Sequence, residues 1–265
     1  MNLQPAAVVM DITGVSVRFG HREVLHTVDL RIERGRTVGL VGESGSGKST
    51  LAKAIIGTVP VSAGAISFDG ANLAHLDRSR RREFRRRVQL IPQDPYSSLN
   101  PRRTVGQTLA EAINPLRPVV RRFEDRITAA LEEVSLPPDL INRFPHEFSG
   151  GQRQRVAIAR ALIVEPDVVI ADEITSALDV SAQAEVLELI EQLRIKRGIT
   201  MLFISHNLAV VKQVCDDVAV LYRGDVIESG TAGDVFTNPV NDYTKLLLSS
   251  VPGSDRFSLD LASEA

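Results

Sequence analysis

The eight residues from Gly42, GESGSGKS, combine glycines, a lysine and a hydroxyl at a spacing suited to capturing a phosphate chain. Glycine at Gly42, Gly45 and Gly47 lets backbone N–H groups turn toward phosphate oxygens where a side chain would obstruct them. The run follows an apolar stretch, TVGLV, and opens a helix-like one, so a phosphate would also meet a helix N-terminus. In that frame Lys48 reaches the β and γ phosphates and Ser49 ligates Mg2+. Asp172 ends the apolar run DVVIAD, which places its carboxylate at the sheet edge from which the glycine-rich loop also emerges. It is positioned to hold Mg2+, and Glu173, pointing elsewhere, suits the orientation or deprotonation of an attacking water. A third group is FSGGQ at 148–152, where Ser149 and Gln152 form a capping box for the helix QRQRVAIARAL. Gly150 and Gly151 at that helix start cost about 1 kcal/mol each in propensity. A nearby phosphate would explain the cost, because the free N–H groups and the Ser149 hydroxyl make a second anion site. Two phosphate-accepting helix starts with one phosphate loop point to sites shared between two chains.

These residues need a sheet with a common edge. The runs VLHTVDLRIE, TVGLVG, AISFDG, VQLIPQ, DVVIAD and TMLFIS read as strands, several of them apolar throughout as buried parallel strands are. Helical periodicity fills residues 48–58, 153–164 (Val156, Ala159 and Ile163 on one face) and 182–193 (Val186, Leu187, Ile190 and Leu193). Alternating strands and helices predict an α/β layered sheet. Residues 105–147 carry helix-like stretches and proline breaks without a convincing strand, which predicts a small helical insertion. A helix follows His206, then a hairpin around Arg223 and Gly224, then a last helix in DYTKLLLSSV; residues 253–265 read as a frayed end.

Composition narrows the function classes. A net charge of −2 gives no global attraction for nucleic acid. The single cysteine, Cys215, excludes an intramolecular disulfide and a Cys-only metal cluster, and fits a reducing cytosol. No run approaches the ~18 apolar residues of a membrane span and the start carries no basic leader, so in a membrane process other chains would do the crossing. The five histidines show no metal-ligand spacing. The run DRSRRREFRRR invites a lipid or nucleic-acid reading, but in an arginine-biased sequence it reads first as a solvated helix face.

Taken together, GESGSGKS, FSGGQ, DVVIADE, SALD at 176–179 and His206 in FISHN resemble the nucleotide-binding domains of ABC transporters, over nearly the whole chain. The resemblance implies an α/β P-loop NTPase (RecA-like) core with an N-terminal antiparallel β subdomain and an inserted α-helical subdomain. It divides the chain into an ATPase domain at 1–235, its helical subdomain at about 105–150, and an extension at 236–265. It implies ATP and Mg2+ as ligands and ATP hydrolysis as the activity. ATP would be held by Gly42, Glu43, Ser44, Gly45, Ser46, Gly47, Lys48, Ser49 and Thr50, with the adenine stacked on Phe19 as a base stacks on an aromatic platform. A lone phenylalanine at a strand end is otherwise a core residue. The catalytic set would be Glu173, His206 against the γ-phosphate, Lys48 and Gln93, and the Mg2+ set Ser49, Gln93 and Asp172. Ser149, Gly150, Gly151 and Gln152 would close the site of a second ATPase subunit, identical or paralogous, with Asp179 communicating across the dimer.

QDPYSSLNPRRTVGQ, SALDVSAQAEVL and VFTNPVNDYTKLLLSSVP resemble the oligopeptide, dipeptide and nickel importer branch. That implies two transmembrane permease subunits, an extracytoplasmic solute-binding protein as an indirect partner, and a place on the cytoplasmic face of the membrane. Ile174 departs from the family by replacing the proline after the catalytic glutamate, which should loosen the following turn without removing a reacting group. The cysteine-rich region of some branch members is missing. The rival readings are a soluble ABC ATPase acting on nucleic acid or ribosomes, which would need a coiled-coil insertion or tandem cassettes, and an exporter subunit.

Overall fold

The computed structural model describes residues 7–176 and 178–250. The frayed end expected at 253–265 and Ala177 of SALD lie outside them. Two sheets stack. The first, β1 (Val8–Phe19), β2 (Arg22–Glu33), β4 (Ala63–Phe68) and β5 (Ala71–Asn72), is antiparallel in the order β2-β1-β4-β5. The second runs β10-β9-β3-β8-β7-β6, formed by β3 (Thr37–Val41), β6 (Val88–Ile91), β7 (Val168–Asp172), β8 (Thr200–Ile204), β9 (Asp217–Tyr222) and β10 (Asp225–Thr231). All of its pairings are parallel except the β9–β10 hairpin. The helices are α1 (Lys48–Ile55), α2 (Arg78–Arg87), α3 (Pro95–Ser98), α4 (Val105–Ile113), α5 (Glu124–Glu133), α6 (Gly150–Leu162), α7 (Val180–Arg197), α8 (Leu208–Val214), α9 (Ala232–Thr237) and α10 (Asp242–Ser249).

The apolar strand runs are continuous because both faces of the parallel sheet are covered. Val168, Ile170, Leu202, Ile204 and Leu40 join α1 and the antiparallel sheet in one core, while Val169, Ala171, Met201 and Phe203 face α4 to α8 in the other. The period of two along each strand thus divides the interior into two layers. β1, which the strand runs omit, alternates Met10 and Ile12 with Val15 and Val17 across a register shift, with Gly14 at φ 59° inside it. That bulge breaks strict alternation. α2 buries only Phe84 and otherwise presents arginine, as a solvated helix would. Its last residue, Arg87, joins Arg34, Asp69 and Asp167 in a ring of alternating charge that ties the two sheets at the edge opposite the phosphate loop.

On β3, Gly39 touches the far side. A Cβ there would lie 2.7 Å from Val211 Cγ1 and 2.9 Å from Cys215 Sγ, so glycine alone lets α8 sit flush on the strand. Burial pushes the Cys215 thiol up to about 12, which leaves it inert.

Candidate functional site

The register of the parallel sheet aligns the chemistry. Leu40 lies beside Ile204, Ile204 beside Asp172, and Ala171 beside Ile91. The residues that follow each strand therefore emerge together: Gly42 after β3, Gln93 after β6, Glu173 after β7 and His206 after β8. This is the carboxyl edge at which open α/β sheets hold ligands.

The loop at 42–49 has the geometry its glycines allow. Gly42, Gly45 and Gly47 adopt φ of 149°, 82° and 113°. A Cβ on Gly42 would fall 2.0 Å from the Leu221 carbonyl oxygen, and one on Gly47 would fall 2.7 Å from Leu25 Cδ2. Gly42→Ala should therefore displace the loop, since a backbone carbonyl cannot yield as a side chain tip does. The expected outcome is at least a tenfold loss of ATP affinity by titration and a stability loss of about 1–3 kcal/mol in thermal melts. Ser46 Oγ is buried without a hydrogen-bond partner among the described residues, an orphan that a phosphate oxygen would satisfy.

Lys48, on the first turn of α1, donates to the carbonyls of Gly42 and Glu43 at 2.8 Å each and lies 3.9 Å from Glu173. Burial lowers its pKa against the opposing pull of Glu173, Asp172 and Glu43. The Ser49 hydroxyl donates to Asp172 at 3.1 Å. Burial raises the Asp172 carboxyl, and Ser49 pulls it back toward ionisation. A hydroxyl beside a buried carboxylate is the hard-oxygen pair that Mg2+ prefers, so the residues present fit that ion.

Glu173 turns the other way from Asp172. Its backbone is left-handed at φ 47°, its N–H donates to Ile204 O at 2.9 Å, and its carboxylate accepts from Gln93 Nε2 at 3.0 Å. His206 Nδ1 stands 3.5 Å from the same carboxylate. A strained backbone persists only where its surroundings hold it. Here Ser176 does so, its N–H and hydroxyl both donating to the Glu173 carbonyl, and its Oγ also meets Gln93 at 3.3 Å. Ile174 is buried in the helical-side core, so in this chain the turn is anchored by packing where the family's proline would anchor it by ring closure.

A family model described as "ABC transporter" matches residues 25–176, which include the loop, Gln93, Ser149 to Gln152, Asp172 and Glu173. The chain belongs to the ABC transporter ATPase family. It is 45% identical to the oligopeptide transport ATP-binding protein OppF of Salmonella typhimurium, across 96% of this chain and 80% of that one. It is 49% identical to OppF of Escherichia coli, across 86% and 69%. Among solved structures, cbiO1 from Clostridium perfringens, part of the ABC transporter complex cbiONQ, aligns with a TM-score of 0.77 at 29% identity over 87% of this chain and 91% of that one. A dimeric ATP-binding cassette in a post-hydrolysis state with ADP and Pi aligns at 0.74 and 27%, over 84% and 98%.

In this ABC ATPase the remaining motif residues lie apart from the loop. Ser149 caps α6, accepting from Gln152 N–H at 3.3 Å while Gln152 Oε1 accepts from Ser149 N–H at 3.0 Å. Gly150 and Gly151 share with them a cleft of about 350 Å³, completed by Leu178, Asp179 and Glu185, and no residue of the phosphate loop lines it. Asp179 caps α7 through Ala182 N–H at 2.9 Å. Phe19 is 52% exposed at the end of β1 and is not a core residue. Thr50 continues α1 behind the loop.

Sequence reasoning passed over two groups at the site. Gly224 N–H donates to the Ser46 carbonyl at 3.0 Å, and the Tyr243 hydroxyl accepts from Glu43 N–H at 3.3 Å. Both come from the C-terminal third, and no local spacing announces a contact across some 200 residues.

Proposed function

We propose that this ABC ATPase is the motor subunit of an importer for small peptides, docked on the cytoplasmic face of the membrane against two permease subunits that receive solute from an extracytoplasmic binding protein. The observation that carries this reading is the 96% of the chain over which it follows OppF, past the catalytic cassette and into the tail. A shared catalytic cassette alone would not distinguish an importer from its relatives. Among the described residues no helix is long and apolar enough to cross a membrane, which accords with membrane subunits supplied by other chains.

The geometry supports the following residue roles. The loop at 42–49 and Lys48 take the phosphates of ATP, with Thr50 in the same helix turn; Phe19 offers an exposed face for the adenine. Ser49 and Asp172 would hold Mg2+, which would neutralise charge on the phosphates, and Gln93, the third residue assigned to the ion, bonds Glu173 and Ser176. Glu173, held by Gln93 and Ser176, accepts the proton of the water that attacks the γ-phosphorus as ADP leaves. His206 steadies the same carboxylate and faces the γ-phosphate. Because Ser149, Gly150, Gly151 and Gln152 open a separate cleft, they serve the ATP of a second subunit, with Asp179 at the junction. Closing on two nucleotides then moves the permease helices, and hydrolysis reopens the pair.

Deleting the chain from its host should stop uptake of a labelled tripeptide, and the wild-type chain, not Glu173→Gln, should restore it. Peptide uptake left intact, with a nickel complex excluded instead, would overturn the peptide assignment.

A further inference from the structure

Tyr243 sits on α10, yet its hydroxyl accepts the Glu43 N–H at 3.3 Å and its ring lies on Tyr222, the last residue of β9, at 4.0 Å between centroids. Several contacts moor α10 in that place. The Glu228 carboxylate of β10 accepts the N–H groups of Val240 at 2.7 Å and Asn241 at 3.0 Å, fixing the approach to the helix. Burial opposes ionisation of Glu228, but the Thr244 side chain and then these backbone donors outweigh it, so its pKa falls below the usual range and it stays an acceptor at neutral pH. Asn241 Oδ1 then caps the helix by accepting Tyr243 N–H at 2.9 Å, while Thr244 and Leu248 are buried beneath it. The same side of the molecule grips the phosphate loop twice more, through the Leu221 carbonyl against Gly42 and Gly224 N–H on the Ser46 carbonyl.

We propose that Tyr243 is a positioning residue for ATP: the C-terminal helix holds the Glu43 peptide so that the amides after it are already aimed when the phosphates arrive. The Glu43 peptide is tied to the phosphate-binding cation, since its carbonyl and that of Gly42 are the ones that take the Lys48 ammonium. An anchored peptide at that point lowers the ordering cost of binding. Burial, and after it the nearby Glu43 carboxylate, push the phenol pKa up, so the hydroxyl stays neutral across physiological pH. A purely structural tyrosine would need only its ring on Tyr222. The hydroxyl on the loop amide is the feature that points to nucleotide.

This inference rests on residues 42–49 holding the phosphates of ATP, and the full-length chain separates the two. Loss of ATP-analogue affinity in Lys48→Ala establishes the loop's role; the Tyr243 variants then test the helix. Tyr243→Phe keeps the stack and loses the acceptor. It should raise the KM for ATP and the Kd for a non-hydrolysable ATP analogue about fivefold, the size expected for one neutral hydrogen bond, with kcat within twofold and the melting temperature unchanged. Tyr243→Ala should raise both constants further and lower the melting temperature, and Glu228→Gln should raise KM in the same direction from a distance. Wild-type KM and Kd in Tyr243→Phe, or a loss confined to kcat, would overturn the proposal.

Discussion

Glu173→Gln should cut ATP turnover by about 10²–10⁴-fold while leaving ATP binding close to wild type, and should trap the nucleotide-loaded pair of subunits in its closed form. The substitution is nearly isosteric, and the glutamine carbonyl can still accept from the Gln93 amide that meets Glu173 at 3.0 Å. What it removes is the basicity of a carboxylate set at the sheet edge with Lys48 at 3.9 Å and His206 at 3.5 Å. If Glu173 served only to balance the charge of Lys48, the variant would lose stability and keep its turnover. Single-turnover hydrolysis, nucleotide binding and size in the presence of ATP measure the three properties on one preparation, and normal turnover would remove Glu173 from its catalytic role.

Lys48→Ala acts on the other partner and should weaken ATP binding by about 100-fold or more. A charge-assisted hydrogen bond contributes roughly 1.5–3 kcal/mol, and the ammonium is placed to transfer its bonds from the carbonyls of Gly42 and Glu43 to phosphate oxygens. Burial already disfavours its charged form, so a phosphate chain would meet a cation short of hydration and gain more from it than from an exposed lysine. The contrast between the two variants is diagnostic: titration with a fluorescent ATP analogue should show binding kept in Glu173→Gln and lost in Lys48→Ala. Equal affinities would mean that the loop does not hold the phosphates through Lys48.

The parallel strands were readable because both their faces are buried, which turns each into an uninterrupted apolar run ended by a chemically marked residue: Gly42, Asp172, Ser205. The phosphate loop and the acidic pair were readable because their chemistry depends on residues adjacent in sequence. β1 was not, since the shift at Gly14 takes its core-facing residues from Met10 and Ile12 to Val15 and Val17, with Val9 and Ser16 buried on the opposite face. α7 reaches Arg197, beyond the periodic stretch at 182–193, because its last turn is solvated and ends on Gly198 in a left-handed cap at φ 62°. α9, with six residues, is too short to show a period. The convergence of Gln93 and His206 on the Glu173 carboxylate follows from strand order, which local pattern does not encode.

The contact at Gly39 has a mechanical corollary. With no side chain on Gly39, Val211 and the Cys215 that follows α8 pack directly on the β3 backbone, which leaves little room for a shift of one against the other. The strand feeding the phosphate loop and the helix behind His206 are therefore expected to move together. A displacement begun at one end of the nucleotide should be felt at the other.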